Sequence, residues 1–423
     1  MERNIKISKS VIKSKKALIL VSTVFPYVET FLHTEIKFLR KKFDLIIIIS
    51  NHKKINKNFS LGEEVIVLNY PYHLSKLNTI LSFSKITSSV FWREFLLTFK
   101  CKKFKLNIIK SMLTSLKRGE LFAKHLDKII QQYTFKHDVL IYSYWANDMA
   151  IGLALLQKKN KKIKTISRAH RFDLYEYVNE INYLPYRSLL VNQLSSIYCI
   201  SNHGLKYIIE NWNAGKNKHN LKLSKLGVTN NSFFKKKDNA ENVKLISCSS
   251  LISVKRIHII IYSLYKLPRN IKITWHHVGE GPLESELKLQ AKSMIKNKNI
   301  SFNFFGRIPN TKLYEMYNSS DYDLFVNTSK SEGLPVSIME AQSFSVPVIS
   351  SSVEGTPEIV NDENGYLLKS DDLVKELVKV IINYSNLSLK QINNKRKASY
   401  VSWKKGYNSK NNYKQFVEEI DFL

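Results

Sequence analysis

LFVNTSKSEGLPVSIMEAQSFSVPVIS, residues 324–350, holds a strand, a polar loop, a helix and a second strand in one short span. Leu324–Asn327 is apolar and brief, as a buried strand is. Thr328–Gly333 is a polar loop, and Pro335 falls in the first turn of a helix Pro335–Phe344, where its missing N–H is not needed. Val346–Ser350 is apolar again, so the unit reads as strand–helix–strand with a parallel sheet. Ligands bind α/β proteins at the carboxyl ends of such strands, beside helix N-termini. The N–H groups after Gly333 and Leu334 face an anion there, aided by the helix dipole, and Gly333 lets the backbone come close. Glu332 precedes the helix and Glu340 lies inside it. At about 1.5 Å of rise per residue their levels differ by several ångströms, enough to serve two parts of one extended ligand. A carboxylate that accepts two hydroxyl hydrogen bonds is a suitable grip for a sugar ring.

The pattern repeats on both sides of this span. Ahead of it come strand Val243–Ser249, helix Ile257–Leu267, strand Ile271–Val278, helix Leu283–Ile295, strand Ile300–Phe305 and helix Thr311–Asn318; a helical stretch follows from Asp371. The first half has the same design. Strands fit Ala17–Val24, Leu45–Ile49, Glu64–Leu68, Val139–Tyr144, Ile163–Ser167 and Ile197–Ser201, with a helix near Val28–Lys42. Two doubly wound, Rossmann-like α/β domains are therefore expected. Periodicity lapses into Asn, Lys and Asp over Asn230–Glu241, the candidate linker. The expected division is residues 1–232, residues 241–395 and a C-terminal helix, residues 396–423.

A chain of 423 residues suits two cores, and 44% hydrophobic residues can fill them. The net charge of +31 is uneven: residues 1–232 carry 39 basic and 15 acidic side chains. Such a field points to an anionic partner, nucleic acid or an anionic membrane face. Between residues 75 and 132 the chain is helical and basic. Phe91, Phe95 and Phe99 recur at i, i+4, i+8 beside Trp92, with Lys100, Lys102, Lys103, Lys105, Lys110, Lys117 and Arg118 behind them. Two readings stand: a core helix with a solvated lysine face, or an amphipathic patch on an anionic membrane. Cys101, Cys199 and Cys248 are too scattered for a disulfide framework or an ordinary zinc site, and a reducing compartment fits. Lys13, Lys15 and Lys16 ahead of Ala17–Val21 mimic a signal peptide, but no small-residue cleavage site follows, and a first strand is the better reading. No stretch approaches the eighteen or so apolar residues that span a bilayer. A cytoplasmic protein, soluble or peripheral at the inner membrane face, is expected.

The span 327–365 resembles the signature of glycosyltransferase family 4, retaining enzymes of GT-B architecture. Its hallmark is two glutamates separated by seven residues, matched by Glu332 and Glu340. The resemblance extends along the chain through CSSLISVKRIHIIIYSL, HHVGEGPLESEL, FFGRIPNTKLYEMY and the tail YVSWKKGYNSKNNYKQFVEEI. FPYVETFLHTEIKFL and SRAHRFDLY are similar to a branch that builds bacterial exopolysaccharides and O-antigens. Single pieces are weak, but their order is specific.

This resemblance implies a hexosyl- or N-acetylhexosaminyl-transferase with a nucleotide-sugar donor, a UDP-sugar ahead of a GDP-sugar, and no metal or other cofactor. Glu332 contacts the donor sugar, Glu340 the ribose, and Lys255 the departing diphosphate, while the Gly333–Leu334–Pro335 helix start holds phosphate. Arg307 lines the base pocket, through its side chain or through backbone alone. His170 and Asp173 match the family's His-x-x-Asp near the cleft. The implied acceptor is a lipid-linked or oligosaccharide glycan, with the basic first domain on an anionic membrane. Two departures stand out. Ser250 occupies the place of an arginine five residues before the lysine, which Arg256 partly offsets, and Arg171 replaces a small residue after the histidine, where it reshapes the acceptor site or binds an acceptor phosphate. A nucleotide-sugar epimerase and a basic nucleic-acid-binding protein are the alternatives. The first would isomerise donor alone, and the second lacks any helix-turn-helix, zinc-finger or aromatic RNA-binding signature.

Overall fold

The apolar runs of the first half become parallel strands. In the computed structural model, which describes residues 16–23, 25–26, 32–50, 61–62, 64–70, 81–100, 103–132, 139–239 and 242–421, the chain divides into two units. One comprises Met1–Ser224 with Tyr413–Leu423, the other Lys225–Asn412.

The first unit is built on seven strands: β1 (Ala17–Val21), β2 (Leu45–Ser50), β3 (Val65–Asn69), β4 (Val139–Ser143), β5 (Lys164–Ala169), β6 (Ser196–Cys199) and β7 (Leu221–Leu223). They run parallel in the order β3-β2-β1-β4-β5-β6-β7. Buried on both faces, β1 and β2 are apolar along their length, as a covered parallel sheet demands. One face packs on helices α1 (Leu32–Leu39) and, from the chain's last helix, Phe416, Val417 and Ile420. The other packs on α2 (Ser89–Lys100), α3 (Leu106–Gln132) and α4 (Asp148–Lys159). Helices α3 and α4 meet at Gly119 and Gly152. A Cβ on Gly152 would lie 2.8 Å from the Gly119 carbonyl oxygen, so the backbones approach as only glycine permits. Short helices α5 (Arg171–Leu174) and α6 (Arg187–Gln193), then α7 (Asn202–Asn211), complete the unit.

The second unit has six parallel strands: β8 (Val243–Cys248), β9 (Ile273–Val278), β10 (Ile300–Phe304), β11 (Leu324–Asn327), β12 (Val348–Ser351) and β13 (Gly365–Leu368), in the order β10-β9-β8-β11-β12-β13. Helices α8 (Ile257–Lys266), α9 (Glu284–Met294), α10 (Asn310–Ser320), α11 (Val336–Ser343), α12 (Leu373–Ser385) and α13 (Leu389–Gly406) connect and cover them. Strand order reverses between β8 and β11, the switch point where α/β sheets open a crevice for ligands.

The stretch expected as a linker is not loose. Its described part, up to residue 239, packs on the second unit: Asn230 donates to the Ser343 carbonyl at 2.7 Å, and Lys237 is buried in an ion pair with Asp323. Its polar residues are consumed by fixed hydrogen bonds, which is why they carry no apolar period.

Candidate active site

Two loops build the site in the second unit, one after β8 and one after the neighbouring β11. The β8 loop is backed by a glycine turn. At Gly279, with φ of +140°, a Cβ would sit 1.9 Å from the Ser249 carbonyl oxygen. Leu251 N donates to Glu280 O at 2.9 Å, and Leu283 N returns to Leu251 O at 3.1 Å. The turn Ser253–Lys255 follows, and Arg256 then enters α8 in a left-handed conformation, φ 49°. Thr328 Oγ1 donates to the carbonyls of Lys255 and Arg256, and Lys330 N to Val254 O at 2.8 Å, so the loops are knitted together.

That knitting brings Lys255 to Glu332. The Lys255 ammonium donates to Glu332 Oε1 at 2.6 Å, and Asn327 Nδ2 reaches the same oxygen at 3.3 Å. Glu332 N donates to Glu354 Oε2 at 2.8 Å, which fixes the loop from its far side. The Glu332 side chain is 8% exposed and that of Lys255 23%. A lysine ammonium has three N–H donors; among the described residues the one given to Glu332 is its only side-chain hydrogen bond.

Glu340 is different. It is buried on α11, where Asn310 Nδ2 and Tyr314 Oη donate to its Oε1 at 3.3 and 3.4 Å. No cation pairs with it among the described residues, and burial pushes its pKa up to about 7. Gly333, Leu334 and Pro335 are buried around the helix start. Pro335 proves to be the cap, in extended conformation, and the helix begins one residue later, at Val336, with no side chain bonded to the cap. Its first N–H groups thus keep the orphan character of a helix N-terminus.

Three other expected donor residues fall out differently. Arg256 is committed to the loop: its guanidinium donates to Thr328 O at 2.7 Å, Ser329 O at 2.9 Å and Ser351 Oγ at 3.2 Å. These bonds hold the loop after β11 against the start of α8. Arg307 is exposed and lies 3.5 Å from Glu280. Ser250 is exposed on the β8 loop.

In the first unit, His170 follows β5 and clusters with Tyr144 and Trp145, whose ring centroids lie 4.7 and 4.4 Å from its own in tilted contacts. It is 7% exposed, and its Nε2 has no hydrogen-bond partner. Burial, with the Arg168 guanidinium close by, holds its pKa well below the ordinary imidazole value, so the ring is neutral near pH 7. Asp173 stands on the short helix α5 that follows His170. It is buried, and its two oxygens accept backbone N–H from His170 at 2.6 Å and Ala146 at 2.7 Å. The carboxylate thereby joins the loops after β4 and β5. Burial raises its pKa to about 7. Arg171, partly exposed, opens α5 beside them.

Residues 228–398 match a family model, Glycosyl transferases group 1. The O-antigen biosynthesis glycosyltransferase WbnH of Escherichia coli is 31% identical over 206 residues, 48% of this chain and 54% of that protein. The chain thus spans about half the length of that curated relative. A second Escherichia coli protein, UDP-Gal:alpha-D-GlcNAc-diphosphoundecaprenol alpha-1,3-galactosyltransferase, is 33% identical over 109 residues, 24% of this chain and 26% of that protein. Among solved structures, Anabaena Alr3699/HepE in complex with UDP and glucose superposes with a TM-score of 0.65 at 18% identity, covering 97% of this chain and all of that one. The fold is GT-B.

Sequence reasoning missed the residues that hold the carboxylates. Asn327, Glu354, Asn310 and Tyr314 carry no motif of their own. Only Asn327 gave a signal, as the one polar side chain closing an apolar strand at its carboxyl end. Tyr144 and Trp145, which pack against His170, follow directly on β4.

Proposed function

We propose that this chain is a retaining, family 4-type glycosyltransferase that moves a hexosyl or N-acetylhexosaminyl group from a UDP-sugar to a lipid-linked glycan in bacterial polysaccharide biosynthesis. The observation that carries the reading is the Lys255–Glu332 pair at 2.6 Å, set at the strand ends beside the open start of α11. The names of the relatives and the UDP held by a protein of the same fold favour this donor and acceptor.

In this reading the diphosphate takes the place where Lys255 and the first N–H groups of α11 offer positive charge, already fixed where negative charge develops. Glu332 accepts hydroxyls of the donor sugar, and Lys255 holds it in place. Glu340 accepts the ribose hydroxyls. The bond from the anomeric carbon to the diphosphate oxygen breaks, and a bond from that carbon to the acceptor oxygen forms on the same face. The acceptor proton passes to the departing diphosphate oxygen, so no side chain is needed as general base. In the first unit, the neutral His170 offers Nε2 to a sugar or acceptor hydroxyl.

The test is transfer from UDP-sugars by the full chain and by Glu332→Gln. The wild type turns over, and the variant stays folded with turnover lower by about 10²-fold or more. Equal turnover in both refutes the assignment, and isomerised UDP-sugar without acceptor would identify an epimerase instead.

A further inference from the structure

Helix α2 gives one face to the core, where Val90 and Phe95 pack beside Phe91, and carries a second, apolar one. Phe91, Glu94 and Thr98, at i, i+3 and i+7, are buried against the core. Trp92, Leu96 and Phe99, at i, i+4 and i+7, point roughly the opposite way, at about 100° of turn per residue. They are 48%, 58% and 66% exposed, and Phe104 and Leu106 beyond them are 53% and 83% exposed. The rings form one surface. Trp92 and Phe104 both contact Phe95, with centroids at 5.3 and 5.7 Å. A helix that already buries one face gains nothing in folding from a second, and clustered exposed apolar side chains mark a binding surface.

Charge identifies the occupant. From Phe83 to Arg118 there are nine Lys and Arg against one acid, Glu94. That acid is withdrawn into the core, accepting from the Tyr183 hydroxyl and from Tyr186 N at 2.6 Å. Arg93, Lys100, Lys105 and Lys110 are exposed and form no ion pair among the described residues. Aromatic and aliphatic side chains rimmed by unpaired cations, with no exposed acid among them, complement acyl chains beneath anionic headgroups. Among the described residues no helix is long and apolar enough to cross a membrane, so this surface lies on one rather than in it.

We propose that Trp92, Leu96, Phe99, Phe104 and Leu106 insert into the interface of an anionic phospholipid bilayer, with Arg93, Lys100, Lys105 and Lys110 on the lipid phosphates. The inference stands on these side chains alone and does not depend on the reading of the second unit. It is tested on the full chain by co-sedimentation with vesicles of phosphatidylcholine, alone or with about one third phosphatidylglycerol, without donor or acceptor. The wild type sediments with the anionic vesicles and far less with neutral ones, more weakly as salt rises. Leu96→Ser/Phe99→Ser lowers the partition about 30-fold or more. It leaves the circular dichroism and UDP affinity unchanged, because both side chains face solvent. Lys100→Gln/Lys105→Gln binds several-fold more weakly with a shallower salt dependence. Wild type that ignores both vesicles overturns the proposal, as does Leu96→Ser/Phe99→Ser bound as tightly as wild type. So does a dimer that this double substitution dissolves while vesicle binding is absent, since the surface would then belong to a second copy.

Discussion

Two ion pairs in this molecule share a length and little else. Arg168 Nη1 meets Glu35 Oε2 at 2.6 Å in the first unit, and Lys255 meets Glu332 at 2.6 Å in the second. Both members of the first pair are 0% exposed. Ser224 Oγ accepts from Arg168 at 3.2 Å, and the Phe416 ring lies 4.3 Å from the guanidinium carbon. That pair is sealed from every side, and it ties α1, β5 and the last helix together. The second pair stands at the carboxyl ends of two strands beside an uncapped helix start, and its ammonium retains donors. Separation does not distinguish a structural pair from one that can receive a ligand; burial and unused donors do.

Breaking the sealed pair gives the largest effect. Arg168→Met leaves Glu35 buried without a cation, and urea denaturation is expected to show a loss of about 3–5 kcal/mol. Glu35→Gln/Arg168→Met recovers much of it, because no uncompensated charge remains. The open pair responds the other way round. Lys255→Ala lowers turnover by about 10²–10³-fold, while the thermal midpoint moves by only a few degrees or less. Adding Glu332→Gln costs less than its own single effect, since the two act on one donor. If Lys255→Ala unfolds the protein as readily as Arg168→Met, the distinction fails.

Glu340 extends the comparison to a carboxyl with no cation at all. Burial lifts its pKa from 4.5 to about 7 in the ligand-free protein, while ribose hydroxyls donate best to its ionised form. UDP affinity is therefore expected to rise about tenfold between pH 6 and pH 8, with proton release visible by calorimetry in two buffers. Glu340→Gln flattens that profile. The stability sign is opposite. A carboxyl whose folded pKa is raised favours the folded state less as pH climbs from 4.5 through about 7. Glu340→Gln should thus raise the thermal midpoint at pH 8 by a few degrees and leave it unchanged near pH 4.5.

Much of the fold was legible because parallel strands buried on both faces must be apolar runs. β8, β11 and the helix between β11 and β12 were placed within a residue or two for that reason. β7 and β13 were missed: Lys222 interrupts the first, and Gly365 opens the second. The aromatic row Phe91, Phe95, Phe99 left two readings open for a geometric reason. A spacing of i, i+4, i+8 drifts by about 80° around a helix, so it begins in the core at Phe91 and ends in solvent at Phe99. Glu332, Glu340 and Lys255 were singled out by spacing and by resemblance to a family motif, and the fold brings Lys255 to Glu332. Arg168 and Glu35, 133 residues apart, were not, since only the sheet brings them together. The carbonyls that Arg256 chelates were not legible either, since sequence does not show which loop carbonyls point at a guanidinium.

The smallest effect tests the remaining oddity of the open pair. Ser250 is exposed on the loop that leads to Lys255, and Arg256 nearby already donates to two carbonyls and a serine hydroxyl. The diphosphate in this reading therefore meets one mobile cation where the family pattern supplies two. Ser250→Arg adds the second without displacing a buried group, and its planar fork suits two phosphate oxygens at once. UDP affinity should tighten about 3–10-fold, an amount expected of one partly solvated charge contact, and the gain should shrink as salt rises. Ser250→Lys, a point charge without the fork, should recover less than half of it in free energy. If Ser250→Arg gains nothing while Lys255→Ala still abolishes turnover, Lys255 and the α11 start meet the diphosphate by themselves, and the contrast between a sealed and an open pair becomes sharper still.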